Sequence, residues 1–336
     1  MDEVGYGVIG VGFMGTNHAR NLAHLSNAKL LGVVDTDQNK ARTVSLMYGC
    51  EKFTDYQALL RQPAIRAVSV CLPTSMHEQV VTDALEAGKH VLVEKPIAST
   101  VTQALKMQAT ASAQGRILMV GHIERFNPAV QRAKKVIDQQ LIGNIVSIIA
   151  RRVGLFPPRI QDADIAIDLA IHDIDVINYL LGTLPTEIRV DRQRQHLDKR
   201  DDSVHFLLRY PQTTAYVQAN WITPVKIRKL NITGTDGYME LDYIAQSVKI
   251  HKSNYDKSKE LDQATLAEDF VLKFREPDYI EEVVEATEPL SGELAFFVDA
   301  VRSGKKINSD HAVDALRVVL AESRPARDDN SQEGAS

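Results

Sequence analysis

The sequence predicts an α/β protein with a doubly wound parallel sheet at its N-terminus. An α+β domain built on an open, mostly antiparallel sheet follows. Two patterns predict this. From residue 4 to about 122, short apolar runs alternate with helical periodicity, as when crossover helices join parallel strands. Beyond residue 123 strand-like segments follow one another with short turns, as antiparallel strands do. A third observation is a glycine-rich turn directly after the first strand run.

Gly7-Val8-Ile9 is the first apolar run, and residues 14–25 are helical in period. Lys29-Leu30-Leu31-Gly32-Val33-Val34 is the second strand, and residues 40–48 form a helix that Gly49 stops. Ala67-Val68-Ser69-Val70-Cys71-Leu72 is near-continuously apolar, the mark of a strand buried on both faces. Pro73-Thr74-Ser75 ends it, with Ser75 expected to cap a helix that runs to Ala87 before Gly88. His90-Val91-Leu92-Val93 and Ile117-Leu118-Met119-Val120 are further strands, and Ser99-Thr100 opens the helix between them.

The domains expected are therefore 1–122, 123–323 and a tail over 324–336 that lacks apolar periodicity and reads as disordered. In the second domain a long helix is expected over 164–181, closed by Gly182. Strands are expected over 187–196, 203–210, 215–223, 227–233, 238–243 and 247–251. Gly234-Thr235-Asp236-Gly237 is a hairpin turn signal. Residues 252–269 read as an exposed polar excursion, and helices are expected over 291–302 and 310–323. Too few helices follow the strands to cover both faces of their sheet, so an apolar face is expected to be left for a partner subunit, in a dimer or tetramer.

Gly10, Gly12 and Gly15 give the G-x-G-x-x-G spacing, and Phe13 and Met14 open the following helix. The first glycine allows the tight turn, the second a close approach of backbone to pyrophosphate, the third close helix–strand packing. Free N–H groups and the positive end of the helix dipole then face the phosphates. Asp35, at the end of the second strand, can accept hydrogen bonds from the adenosine ribose hydroxyls and would repel a 2′-phosphate. With Thr36 and Asp37 following, no arginine stands beside it, and NAD is expected over NADP.

Composition excludes several classes. A charge of −5 argues against nucleic-acid and anionic-membrane surfaces. No apolar run reaches the length of about 18–20 residues that a membrane span needs, and Met1-Asp2-Glu3 does not read as a secretory leader. Cys50 and Cys71 lack metal-ligand spacing and read as thiols of a reducing cytoplasm. No His/Cys cluster suggests a metal.

Two segments carry candidate chemistry. Glu94-Lys95-Pro96 stands at the C-terminal end of a parallel strand, the end that faces the ligand crevice in such sheets. A lysine there can donate to a substrate oxygen, and Pro96 can fix the turn through a cis bond. The second is Asp168-Leu169-Ala170-Ile171-His172. Its acid and imidazole are four apart and share a helix face, the arrangement of a general base with an orienting carboxylate.

The glycine turn, Glu94-Lys95-Pro96 and Asp168-x-x-x-His172 in this order resemble the glucose–fructose oxidoreductase/inositol dehydrogenase (Gfo/Idh/MocA) family. Pro289-Leu290-Ser291-Gly292-Glu293-Leu294-x-x-Phe297 resembles it too, so that the likeness covers residues 4 to about 323. The resemblance implies a Rossmann domain, a second domain with a large open sheet, and hydride transfer between a sugar or polyol carbon and nicotinamide. Lys95 and His172 become the expected catalytic pair, with Asp168 holding substrate or His172. Thr74, His77 and Glu94 become cofactor-side residues.

Gly121-His122-Ile123-Glu124-Arg125-Phe126-Asn127-Pro128, Gly154-Leu155-Phe156-Pro157-Pro158-Arg159 and the segment from Asn220 to Arg228 are similar to one subgroup. Its members oxidise the C3 hydroxyl of UDP-N-acetylglucosamine, and an aminotransferase then makes a 3-amino sugar for lipid A or related glycans. A diphosphate needs cations, and Arg125, Arg151, Arg152, Arg159, Lys226 and Arg228 lie in segments expected to face the cleft. Arg125, Asn127, Arg159 and Lys226 are the substrate-side residues expected. A free-sugar or inositol dehydrogenase, an enzyme for the corresponding uronic acid, and a non-catalytic NAD(H) sensor are the alternatives; both Lys95 and His172 count against the sensor.

Overall fold

The computed structural model describes residues 3–156, 164–197, 200–252 and 279–321. The expected tail and most of the polar excursion lie outside these residues. So does Arg159.

Six parallel strands form the first sheet: β1 (Val4–Ile9), β2 (Ala28–Val34), β3 (Glu51–Phe53), β4 (Ala67–Val70), β5 (His90–Glu94) and β6 (Leu118–Gly121). Their order is β3-β2-β1-β4-β5-β6. Strand order reverses between β1 and β4, which makes a crevice at their C-terminal ends, the switch point where doubly wound sheets bind ligands. Every residue of β1, β4 and β6 is buried, as the continuous apolar runs require. The short strand β3 was not expected; three residues with only Phe53 part-buried carry too little periodicity to read.

Helix boundaries follow local chemistry. The helix α1 (Phe13–His24) starts from the glycine turn. Asp37 caps α2 (Gln38–Tyr48) through the Asn39 and Lys40 N–H groups, and Gly49 ends it at φ 66°. Thr100 and Gln103 form a reciprocal capping box at the start of the Val101–Ala113 helix. Ser75 caps nothing: it lies inside a 3₁₀ turn, Thr74–Met76, and the His77–Glu86 helix continues from that turn without a side-chain cap.

The second sheet has eight strands: β7 (Ile145–Val153), β8 (Glu187–Gln193), β9 (Ser203–Arg209), β10 (Thr214–Asn220), β11 (Ile227–Gly234), β12 (Gly237–Asp242), β13 (Ser247–Lys252) and β14 (Tyr279–Val283). Their order is β14-β13-β12-β11-β7-β10-β9-β8. All pairs are antiparallel except β7 with β10. That one parallel pair places Val153 and Asn220 side by side at the same sheet edge, where Ile227 of β11 also begins. Three loops therefore leave or enter the sheet at one place.

Period-two alternation sorts the two faces. Val190, Phe206, Val217, Ala150, Leu230, Leu241 and Val248 are paired across the strands and all buried. The neighbouring row runs through Leu207, Tyr216, Ile149, Asn231, Glu240, Lys249 and Glu281. In that row Ile149 is 52% exposed and Leu207 and Tyr216 are each 39% exposed. The open face is thus mixed, apolar over β9, β10 and β7 and charged beyond β11, where an apolar face was expected.

The expected 164–181 helix is two things. Ala166–Ala170 is a π turn, and a regular helix follows over Ile171–Leu181, ended by Gly182 at φ 65°. Such turns cost hydrogen-bond regularity and recur at functional sites. The C-terminal helices Pro289–Ser303 and Asp310–Val319 return to the first half of the chain. Phe297 packs edge-on against Tyr6 of β1, and Asp310–Val319 packs on both the Ile171–Leu181 and Val101–Ala113 helices.

Candidate active site

The glycine turn leaves the end of β1 and enters α1. Gly10 has φ +87°, the left-handed region, and a Cβ there would meet the Cys71 carbonyl oxygen at 2.6 Å. A Cβ on Gly15 would lie 1.7 Å from the Gly10 oxygen, so only glycine lets the helix sit this close. Gly12 differs: a Cβ there would meet nothing within 4 Å. The space beside it is open, as a backbone cradle for pyrophosphate requires. Asp35 accepts from the Val11 N–H at 3.0 Å and the Asp37 N–H at 2.9 Å. An ionised carboxylate has about four acceptor positions, which leaves room for ribose hydroxyls. These residues fit NAD.

Phe13 and Met14, Glu94, Lys95, Asp168, His172 and Lys226 line one cavity of about 700 Å³. It lies between the crevice of the first sheet and the edge of the second where β7, β10 and β11 meet. Gly154, Leu155, Trp221, Pro224 and Arg228 come from that edge. Lys95 bridges the halves. Its Nζ donates to the Asp168 carbonyl at 2.8 Å and to Asp168 Oδ1 at 3.3 Å. An ammonium has three hydrogens, so one remains for a substrate oxygen. The Lys95–Pro96 peptide is cis.

His172 lines the same cavity, with Nδ1 buried and unpartnered. Burial, then the positive charges of Lys95 and Arg152, hold its pKa well below the ordinary histidine value. The ring is therefore neutral at physiological pH, as a general base must be. Asp168 was expected to hold substrate or His172; across the π turn its carboxylate turns to Lys95 and positions the lysine, and among the described residues no carboxylate bonds the imidazole.

The cations divide into two kinds. Arg152 is buried, chelating Asp173 at 2.8 and 2.9 Å and donating to Glu124 at 2.8 Å. Its charge is spent on those acids. Arg228 donates to the Val153 and Ile227 carbonyls at 2.7 and 2.9 Å and, among the described residues, forms no ion pair. Burial and the nearby Arg152 lower its pKa, outweighing the carboxylates of Asp173, Asp168 and Glu124. With Lys226 it forms the electropositive wall of the cavity. Asn220 stiffens this wall by accepting from the Ile222 and Thr223 N–H groups at 3.2 and 3.0 Å.

Several expected site residues lie elsewhere. Arg125 makes a two-pronged bond to Asp175 at 2.6 and 2.8 Å, stacks over Tyr179, and lines a separate cavity with Phe126 and His311. Asn127 is buried: its Oδ1 caps the Pro128–Asp138 helix, and its Nδ2 donates to the Tyr243 carbonyl at 3.1 Å and to Glu124 Oε2 at 3.3 Å. The side chains of Arg125 and Asn127 are thus engaged in these internal bonds, away from the Lys95 cavity. His77 is buried as well, with ring nitrogens 3.0 Å from the Pro96 carbonyl and 2.9 Å from that of Leu72, so it ties the loop after β4 to the turn after β5. Thr74 opens the 3₁₀ turn after β4, at the crevice end of the parallel sheet. Arg151 is exposed on the open face of β7.

Sequence reasoning missed Trp221, whose buried indole N–H is unpartnered in the cavity wall and whose ring packs edge-on against Phe156. Its signal is modest: it is the chain's single tryptophan, at a strand end. His18, Cys71 and Glu94 hold ligand-type atoms within 4.8 Å of one another. Both His18 nitrogens are already bonded, to Ser69 at 2.9 Å and Glu94 at 3.0 Å. Burial also pushes the Cys71 thiol up, so the group is not assigned to a metal.

Replacing Asn127 with Ala removes a cap and a buried donor. We expect a loss of about 1–3 kcal/mol in chemical denaturation, with the sugar KM unchanged. Intact stability with a raised sugar KM would return Asn127 to the substrate side.

Comparison with known proteins agrees with this fold. Residues 4–122 match the oxidoreductase family's NAD-binding Rossmann fold, and residues 130–240 match the GFO/IDH/MocA C-terminal domain. The chain is 32% identical over 245 residues to a UDP-N-acetylglucosamine 3-dehydrogenase of Acidithiobacillus ferrooxidans, covering 73% of this chain and 76% of that one. It is 34% identical over 192 residues to a scyllo-inositol 2-dehydrogenase (NAD(+)) of Bacillus subtilis, covering 55% and 56%. The solved structure of the Acidithiobacillus enzyme superposes with a TM-score of 0.81 at 26% identity, over 95% of this chain and 96% of that one. With its parallel sheet, glycine turn and open second sheet, the chain belongs to the Gfo/Idh/MocA family of NAD-binding oxidoreductases.

Proposed function

We propose that the chain oxidises the C3 hydroxyl of a UDP-sugar, UDP-N-acetylglucosamine, to the 3-keto sugar. The observation that carries this reading is the meeting in one cavity, beside the glycine turn, of Lys95, neutral His172 and the cations Arg228 and Lys226, which among the described residues form no ion pair. A free polyol offers those cations no anion, whereas a diphosphate does. The similarity to a UDP-N-acetylglucosamine 3-dehydrogenase supports the same choice. The inositol reading rests on relatives matched over little more than half of the chain.

NAD, when bound, supplies the hydride acceptor. His172 takes the proton of the C3 hydroxyl, and Lys95 donates a hydrogen bond through its remaining N–H to the same oxygen as negative charge develops there. Asp168 keeps the lysine aimed across the cleft. The alcohol loses one hydride and one proton, and the product is a ketone. A ketone at C3 is the substrate type of an aminotransferase, and a 3-amino sugar for lipid A or a related glycan is the expected outcome. The cytoplasm, where nucleotide sugars and NAD meet, is the compartment this chemistry implies; among the described residues no helix is long and apolar enough to cross a membrane.

His172→Ala and Lys95→Ala are each expected to lower kcat by about 10²–10⁴-fold while NADH still binds, because the glycine turn is untouched. Near-normal turnover of UDP-N-acetylglucosamine by His172→Ala would place the base elsewhere.

The pH profile tests the same assignment. The depressed pKa of His172 keeps the base unprotonated below the ordinary histidine value of 6.5. Turnover should therefore stay flat as pH falls through 6.5 and decline only further down. An acid limb centred at or above that value would contradict it.

We also propose a homo-oligomer, dimer or tetramer, joined through the open face of the eight-stranded sheet. Exposed Ile149, Leu207 and Tyr216 on adjoining strands support this. Light scattering should give a multiple of 37.4 kDa, and Tyr216→Glu should shift it toward the single chain. A monomer at every concentration refutes the proposal.

A further inference from the structure

Beneath the cavity floor a line of buried polar groups runs from β1 to Glu94. Tyr6 OH and Ser69 Oγ are 3.0 Å apart, Ser69 Oγ and His18 Nδ1 2.9 Å, and His18 Nε2 and Glu94 Oε1 3.0 Å. Glu94 Oε2 accepts from the Lys95 backbone N–H at 3.2 Å. Tyr6, Ser69 and His18 are each at most 1% exposed. His18 belongs to α1, one turn beyond the glycine motif, so this line joins the helix that faces the phosphates to the strand end that carries Lys95.

Hydrogen-bond direction along the line is constrained. A carboxylate oxygen only accepts, so His18 Nε2 carries a hydrogen. In the neutral ring Nδ1 then accepts from the Ser69 hydroxyl, whose oxygen accepts from Tyr6. Burial pushes the Tyr6 phenol above its ordinary range, so the line begins with a group that keeps its proton.

The groups facing Glu94 come from every side. They are His18 from α1, Lys95 on its own strand, Cys71 after β4, His122 after β6, and Glu293 from the Pro289–Ser303 helix. Glu293 is fully buried with both oxygens unpartnered, and burial, then Glu94 and Asp175, push it well above the usual carboxylate range. Burial, then Arg125 and Lys95, push His122 down to about 3. At neutral pH both are uncharged, as is the Cys71 thiol. Burial alone would raise Glu94 too; the His18 hydrogen bond, with Lys95 beside it, outweighs burial and holds it low. His18 and Lys95 are thus what keep this carboxylate ionised at the edge of the cavity.

We propose that His18 is a positioning residue: through Nε2–H it holds the Glu94 carboxylate in one orientation beside Lys95, and so sets the affinity for the nicotinamide end of NAD. The chemistry fits, because ribose hydroxyls are donors and a fixed anion is a strong acceptor. The inference rests on the dehydrogenase reading only for what Glu94 faces, and it can be read without turnover.

The test is NADH binding by the full chain, followed by cofactor fluorescence across pH. His18→Leu, which keeps volume and loses the donor, should weaken NADH roughly ten-fold, the scale of a hydrogen bond to a charged group. It should also move the acid limb of affinity to higher pH. His18→Gln, whose amide N–H reaches the position of Nε2, should recover most of the loss. In a Glu94→Gln background His18→Leu should have little further effect. Wild-type affinity in His18→Leu, equal weakness of the Gln and Leu variants, or an undiminished loss in the Glu94→Gln background would each overturn the proposal. If His18→Leu does not fold by circular dichroism, Ser69→Ala takes its place: a few-fold weakening that Glu94→Gln abolishes supports the proposal, and unchanged affinity overturns it. Failure of every sugar to turn over, with this NADH pattern intact, would sink the sugar assignment alone.

Discussion

The bond from Lys95 Nζ to the carbonyl and carboxylate of Asp168 is the contact on which the cleft depends. One partner ends a strand of the parallel sheet; the other sits on the π turn ahead of the Ile171–Leu181 helix. Neither sheet builds a reactive site alone. The parallel sheet supplies the glycine turn, Glu94 and Lys95, while the second half supplies Asp168, His172 and the cationic edge. With two hydrogens held by one residue, the ammonium approaches any substrate from a defined direction, which is the pre-organisation that oxyanion stabilisation needs.

The electrostatics of the cleft follow from which charges are paired. Arg152 answers Asp173 and Glu124, and Arg125 answers Asp175, each with short two-pronged bonds inside the protein. Such pairs contribute geometry more than net stability, since desolvation offsets much of their attraction. They also use up the acids that would otherwise sit near His172. Burial, with the positive groups that remain around it, keeps that imidazole neutral, and Arg228 remains available to an anion. One distribution of charge serves both the base and the binding wall.

Much of this was legible in the residues. Continuous apolar runs such as Ala67 to Val70 announce buried parallel strands, and the glycine spacing with Asp35 announces a dinucleotide site. Lys95, Asp168 and His172 were legible as a set, because their order along the chain resembles a family pattern. Other features were not. Arg125 and Asn127 look like ligand-facing loop residues, yet their partners Asp175 and Tyr243 lie far along the chain, and pairing at such separations leaves no local mark. His18 looked like any helical histidine because Ser69 and Glu94, which give it meaning, stand on two later strands. The open face of the second sheet was expected to be apolar, but alternation shows only which residues share a face. The charges beyond β11 were visible in the sequence and were not placed on it.

The π turn over Ala166–Ala170 has a consequence for how such a cleft can vary. A π turn closes its hydrogen bonds over five residues where an α turn uses four, so losing a single residue there would change the angle between Asp168 beside Lys95 and His172 on the helix that follows. The spacing of the two polar groups is therefore governed by a count of residues in one turn as well as by side-chain identity. Insertion and deletion at this place would act as a coarse dial on which face of a bound sugar meets the imidazole, with the glycine turn and the lysine left undisturbed.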